Sequence, residues 1–265
     1  MWLVFTDLDG TLLEHETYSF DSARPALERL QRLGIPLVLT TSKTRAEVEV
    51  WRERLSNHDP FVVENGGAVF VPQACFPFLP AQSVARGPYD AIEFGDRYET
   101  LVEALTEAAR EAGCTVRGFH QMTAEEVGAA CGLPLEEARL AKQREYDEVF
   151  EIMDETRTAA LLQAIAGKGK RWTRGGRFYH ITGNNDKAAA VTAVRELYEK
   201  AFGEVTTVGL GDGMNDAPFL NGVGVPILIR SHSAAELQAA VPRGRLTERP
   251  GPEGWNQALL QVIPE

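Results

Sequence analysis

Residues 2–11 read Trp2-Leu3-Val4-Phe5-Thr6-Asp7-Leu8-Asp9-Gly10-Thr11. An apolar run without polar alternation predicts a strand buried on both faces, and it ends abruptly at Asp7. Burial on both faces implies a parallel sheet with helices above and below. The next sixty or so residues repeat the pattern. Asp21 or Ser22 caps a helix with the apolar face Ala23, Leu27, Leu30 and Leu33, and Gly34 lies past its end. Leu37–Leu39 is the next strand, ending at Thr40-Thr41-Ser42. Val48, Trp51 and Leu55 mark a second amphipathic helix, and Phe61–Val63 is a third strand, ending at Glu64-Asn65-Gly66-Gly67.

The end of the chain returns to this style. A helix runs from near Asp186 to about Lys200, Val205–Leu210 is a strand followed by GDGMNDAPFL, and Val225–Ile229 is another strand. A Pro- and Gly-rich stretch from Pro242 to Gly254 follows. The middle differs. Leu101, Leu105 and Ala108 line one helix, and Thr123 to Glu126 reads as a capping box. Val149–Met153 is a strand, while Arg171–Thr173 and Phe178–Thr182 flank Gly175-Gly176 as a hairpin. The expected architecture is α/β: a Rossmann-like parallel sheet formed by residues 1–84 and 174–265, with an α+β domain, 85–173, inserted into it.

Composition sets limits. The 265 residues carry 38 acids against 27 bases, a net charge of −11, which argues against nucleic acid or an anionic membrane as the main partner. Cys75, Cys114 and Cys131 are three, without C-x-x-C spacing, so neither a disulfide framework nor a thiolate zinc site is expected. No apolar run approaches a membrane span. Asp7 comes too early for a secretory signal. A soluble cytoplasmic protein is the expectation; oligomeric state is not legible.

Open α/β sheets bind ligands at the carboxyl ends of their strands. Collected there are Asp7, Asp9, Gly10 and Thr11; Thr40, Thr41 and Ser42; Asp212, Asn215 and Asp216; and Lys187 at a helix start. Four carboxylates in one crevice repel one another and call for a cation. With oxygen donors only, the cation is hard, and Mg2+ fits best. An ammonium and hydroxyls beside it make a receptor for a phosphoryl group. A carboxylate can serve as nucleophile, and a second acid two residues on as acid and base. Taken singly, each motif is ordinary: DxDG is a turn, Thr41 and Ser42 a loop or cap, Lys187 a solvated lysine. Gly10 falls too early for a calcium-binding loop. Met214 stands where a dinucleotide loop needs Gly or Ala, which leaves little for a dehydrogenase.

In combination, DLDGT, the hydroxyls after the second strand, Lys187 and GDGMND resemble the four motifs of haloacid-dehalogenase-type (HAD) phosphohydrolases. The roughly 110 residues separating Gly67 from Phe178 resemble their large C2-type cap. The resemblance implies Asp7 as nucleophile, Asp9 as acid and base, Thr41 on a phosphoryl oxygen and Lys187 on the phosphoryl charge. It implies Mg2+ on Asp7, the backbone carbonyl of Asp9, and Asp212, with Asp216 and Asn215 in support. Many C2 relatives read Thr-Gly-Arg where this chain has Thr41-Ser42-Lys43, so Ser42 competes with Thr41 for the second-motif role.

LTTSKTRAEV (39–48), ENGGAVFVP (64–72), GLPLEEARLAKQREYDEVF (132–150) and GGRFYHITGNNDKAAAV (175–191) narrow the resemblance to the mannosyl-3-phosphoglycerate phosphatase family. That implies a Mg2+-dependent release of phosphate through an aspartyl-phosphate, leaving mannosylglycerate, a compatible solute. The partner is then a small phosphorylated sugar-glycerate. Its carboxylate needs a cation. Its mannose needs amides, hydroxyls and carboxylates. The candidates for the two together are Lys142, Gln143, Arg144, Arg177 and His180, with Ser42 and Asn65 also expected to face the site. On charge pattern alone, 142–148 reads as a solvated face, His180 as a structural strand residue, and Asn65 as a plain Asn-Gly turn. The competing functions are a phosphatase for glucosyl-3-phosphoglycerate or sucrose phosphate, a phosphomutase, and a non-catalytic phospho-ligand binder.

Overall fold

The computed structural model describes residues 1–175 and 177–265. In chain order the elements begin with β1 (Trp2–Thr6), α1 (Arg24–Leu33), β2 (Leu37–Thr40), α2 (Arg45–Arg54), β3 (Phe61–Val63), β4 (Ala68–Pro72), β5 (Val84–Arg86) and β6 (Tyr89–Glu93). There follow α3 (Tyr98–Ala112), β7 (Val116–Gly118), α4 (Ala124–Cys131), α5 (Leu135–Ala141), β8 (Asp147–Ile152), α6 (Thr158–Gly167), β9 (Arg171–Gly175) and β10 (Phe178–Thr182). The chain ends with α7 (Lys187–Phe202), β11 (Thr206–Gly211), α8 (Ala217–Gly222), β12 (Val225–Arg230), α9 (Ala234–Ala240), β13 (Arg245–Pro250) and α10 (Gly251–Val262).

The strands form two sheets. One has nine strands in the order β13-β12-β11-β1-β2-β3-β4-β6-β5, and the other four, β7-β8-β10-β9. From β13 to β3 every neighbouring pair is parallel; β4, β6 and β5 add antiparallel. Within β1, Val4 packs into the core beneath α1 and α10 with Leu27, Leu30 and Leu259. Leu3 and Phe5 pack into the opposite core with Val194 of α7 and Phe219 of α8. Side chains alternate across a strand, and both faces are covered, so the run is apolar at every step. Each such buried side chain contributes about 1.5–3 kcal/mol.

Apolar side chains pack on the small sheet as well. Phe150 and Ile181 pack against Leu101, Leu105 and Ala108 of α3 and Leu161 and Ile165 of α6. Val149 packs on the other face with Phe119, Val127 and Ala138. Among the described residues, no helix is long and apolar enough to cross a membrane.

Strand pairing displaces the expected boundaries. A division at 84/85 would cut β5, whose hairpin partner β6 pairs Ala91 with Phe70 in the large sheet. A division at 173/174 would cut β9, and β10 pairs on both sides within the small sheet. A strand's N–H and C=O groups need their ladder partners, so each hairpin stays whole. β9 and β10 pair antiparallel as expected, and Gly176, expected in a turn between them, lies outside the described residues. The Pro- and Gly-rich stretch is also more regular than its composition suggests. It holds β13 and the start of α10, where Pro252 occupies the first turn. Trp255 is fully buried there and donates from Nε1 to Thr6 Oγ1 at 3.0 Å.

Two backbone segments cross where the sheets meet. Gly66 has φ +87°, and a Cβ there would stand 2.2 Å from the carbonyl carbon of Asp186. A Cβ on Gly183 would stand 2.6 Å from the backbone nitrogen of Asp96. Gly66→Ala is therefore expected to cost at least about 2 kcal/mol. Thermal unfolding checks this; an unchanged melting temperature would contradict the crossing.

Candidate active site

The parallel register pairs Thr6 of β1 with Leu210 of β11 and carries the next residues to one sheet edge. Asp7 donates its backbone N–H to Leu210 O at 2.9 Å, which fixes it beside the β11 loop. Asp186 caps α7, its Oδ1 accepting N–H groups from Ala188 and Ala189, and so aims Lys187 inward. Lys187 is 3% exposed; its Nζ lies 3.0 Å from Asp7 Oδ1 and 2.7 Å from Asp216 Oδ1. Asp216 Oδ2 accepts the backbone N–H groups of Asp212 and Gly213, each at 3.2 Å, and folds that loop back. Thr11 Oγ1 donates to Asp212 Oδ1 at 3.0 Å.

Burial pushes the Asp7 carboxyl well above the usual range, against the pull of Lys187, and Asp216, Asp212 and Asp9 add to the rise. Burial likewise pushes Asp212 up to about 6, helped by Asp216. Burial opposes the charge on Lys187, but Asp216 and Asp7 outweigh it and hold the ammonium above the ordinary lysine range. Carboxylate oxygens of Asp7, Asp212 and Asp216 come within 4.8 Å of one another, so this all-oxygen set can hold a metal ion. The carboxylate of Asp9, expected to serve as acid and base, stands outside that set. Its Oδ2 pairs with Lys43 Nζ at 3.0 Å, and its buried Oδ1 has no hydrogen-bond partner among the described residues.

The hydroxyl loop after β2 lies alongside. Thr41 is buried, and its Oγ1 accepts the Lys43 N–H at 3.2 Å. Ser42 offers its backbone carbonyl to Arg144 Nη2 at 3.3 Å. Asn65, at φ +55°, accepts from Asn215 Nδ2 at 3.2 Å, joining the β3 loop to the GDGMND loop. Arg144 also binds Asp147 Oδ2 at 2.8 Å, and Asp147 holds His180 Nδ1 at 2.9 Å. A line of Ser42, Arg144, Asp147 and His180 thus runs from the large sheet into the small one.

The other expected substrate residues are engaged elsewhere. Lys142 donates to the carbonyls of Phe119 and Met122. Arg177 pairs with Glu151 at 2.6 Å and lies over the Phe178 ring. Gln143 is exposed and donates to Arg139 O within its own turn. On its charge pattern KQRE looks like one surface face, but Arg144 turns deepest inward, with its side chain 6% exposed beside Asp147.

Four residues of this region escaped the sequence reading: Lys43, Glu64, Asp147 and Asn185. Glu64 is fully buried and accepts the N–H groups of Glu145 and Tyr146 at 2.9 and 2.8 Å. Asn185 Nδ2 donates to Glu64 O and Tyr146 O. Glu64 ends an apolar strand, a position that could have flagged it; the partners of Asn185 lie far away in the chain and left no local signal.

A family model described as haloacid dehalogenase-like hydrolase matches residues 4–79. The chain is 43% identical over 263 residues to the glucosyl-3-phosphoglycerate/mannosyl-3-phosphoglycerate phosphatase of Methanococcoides burtonii, covering 98% of this chain and 97% of that protein. It is 37% identical over 227 residues to the mannosyl-3-phosphoglycerate phosphatase of Pyrococcus furiosus, covering 86% and 90%. A haloalkanoate-superfamily phosphatase from Bacteroides thetaiotaomicron shares the fold at TM-score 0.69 and 19% identity, covering 99% of this chain and 96% of that one. The fold and the matched motifs define a haloacid dehalogenase-like hydrolase. Within that class the chain belongs to the glucosyl-3-phosphoglycerate/mannosyl-3-phosphoglycerate phosphatase family.

Burial raises the Glu64 carboxyl to about 8, with Arg144 pulling the other way. Unfolding returns it to the ordinary range, so the folded state holds this proton more tightly. Its contribution to stability is full below the ordinary carboxylate range and is lost as pH rises through about 8. Glu64→Gln, which cannot ionise, should flatten the fall in melting temperature between about pH 5 and 8. Parallel wild-type and variant curves would contradict this.

Proposed function

We propose that this chain hydrolyses hexosyl-3-phosphoglycerates, the mannosyl ester foremost, to the hexosylglycerate and inorganic phosphate. The observation that carries the reading is the reach of the likeness. It spans 98% of the chain, small sheet included, where a leaving group is read. The glucosyl ester stands beside the mannosyl one because the Methanococcoides relative bears both names.

Asp7 attacks phosphorus in line while Asp9 protonates the departing glycerate oxygen. Asp9 then takes a proton from water, which attacks the aspartyl-phosphate and releases phosphate. Lys187, anchored on Asp7 and Asp216, meets the phosphoryl charge, and the Thr41 hydroxyl holds one of its oxygens. Asp7, Asp212 and the Asp9 carbonyl would hold Mg2+, with Asp216 and Asn215 supporting them. When bound, the cation screens the carboxylates from the incoming anion. Residues through Glu93 and from Gly183 act as the catalytic core, and residues 94–182 act as a cap that excludes water. Thiols rather than disulfides at Cys75, Cys114 and Cys131 agree with work in the cytoplasm.

Phosphate release from mannosyl- and glucosyl-3-phosphoglycerate, measured beside glucose 6-phosphate and sucrose phosphate, tests this. The expected result is a preference of about ten-fold or more for the glycerate esters, abolished by EDTA, with Asp7→Asn down about a thousand-fold or more. A near-wild-type rate in Asp7→Asn would remove the nucleophile. Activity confined to the simple sugar phosphates would remove the substrate.

A further inference from the structure

Lys43 follows the hydroxyl pair, and its backbone is pinned at both ends. Its N–H donates to Thr41 Oγ1 at 3.2 Å, and its carbonyl accepts from Glu64 N at 3.0 Å. The side chain is 11% exposed; its Nζ lies 3.0 Å from Asp9 Oδ2, 3.6 Å from Glu47 Oε1 and 5.0 Å from the centre of the Tyr18 ring. None of the steps proposed above uses this cation.

We propose that Lys43 is the specificity residue that binds the carboxylate of the leaving glycerate. Given the phosphatase activity proposed above, Asp9 meets the ester oxygen. In a 3-phosphoglycerate ester only C3 and C2 separate that oxygen from the carboxylate. A cation touching Asp9 therefore lies where the carboxylate arrives. Three other cations of the region are held by carboxylates. Lys187 is held by Asp7 and Asp216, Arg144 by Asp147, and Arg45 by Glu145 and Glu49. Lys142 and Arg177, expected to read the carboxylate, are bound within the small-sheet unit. An ammonium has three donors. Asp9 takes one at 3.0 Å, Glu47 at 3.6 Å is a looser ion pair, and donors remain for a ligand.

The assignment also divides recognition between the two parts of the molecule. The glycerate is common to the mannosyl and glucosyl esters, and the hexoses differ only in the configuration at C2. A core lysine that grips the glycerate is indifferent to that difference, so discrimination between the sugars falls to the cap.

The test compares mannosyl-3-phosphoglycerate with its primary carboxamide, which has nearly the same shape without the charge. In the wild type the acid should exceed the amide in kcat/KM by about ten- to a hundred-fold, the range of one charge-assisted hydrogen bond. Lys43→Met should bring the ratio close to one, and Lys43→Arg should keep most of it. Glu47→Gln should raise it by withdrawing a competing carboxylate. Gln also completes a capping box, so the Thr44 cap of α2 survives that change and folding does not decide the outcome. An unchanged ratio in Lys43→Met, a fall in Glu47→Gln, or a wild type indifferent to the carboxylate would overturn the assignment while leaving the phosphatase activity standing. A wild type that releases phosphate from neither ester would overturn the functional reading itself, and the role of Lys43 with it.

Discussion

One ammonium shared by two buried carboxylates holds the site together. Lys187 reaches Asp7 at the end of β1 and Asp216 beyond the end of β11, and all three are almost fully buried. Two carboxylates in so dry a place would repel each other, and breaking such a pairing is far more costly than the pairing is favourable. Lys187 therefore ties the first residue of α7 to the β1 and β11 loops. The Asp186 cap and the β1–β11 register follow from the same requirement, since both set where that ammonium ends. The carboxylate edge left over, turned toward Asp212, is the oxygen-only set suited to a hard cation.

The attachment of the small sheet obeys a similar rule. Glu64 is buried, and the backbone N–H groups of Glu145 and Tyr146 satisfy it. Its own backbone N–H binds Lys43 O, so the residue that receives the 145–146 segment also steadies the hydroxyl loop. Arg144 crosses back to Ser42. The small-sheet segment and the hydroxyl loop thus share partners. Gly66 and Gly183 let the connecting backbones pass closely enough for these bonds to form.

Much of this was legible before any coordinates. Asp7, Asp212 and Lys187 stand out because each follows a strand or begins a helix, and strand ends in a parallel sheet converge. Periodicity located β1, β2 and β3 because both of their faces are covered. The boundaries of the small sheet were not legible. The β5–β6 hairpin has the mixed polarity of an edge, and only its pairing with β4 assigns it to the large sheet. β13 and α10 were hidden by Pro250, Gly251 and Pro252, residues that also start helices. Lys142 and Arg144 sit two residues apart with similar charge, yet their roles diverge. Carbonyls capture the first and Asp147 the second, through contacts that charge pattern does not encode.

The proposed mechanism requires the Asp7 carboxylate, aligned by Lys187, to become covalently phosphorylated. Acid quenching within the first turnover of mannosyl-3-phosphoglycerate, followed by peptide mass spectrometry, tests it most directly. The account predicts a phosphate-sized mass gain on the peptide that contains Asp7. Release of a full equivalent of phosphate over that interval, with the Asp7 peptide unmodified at every time point, would contradict it.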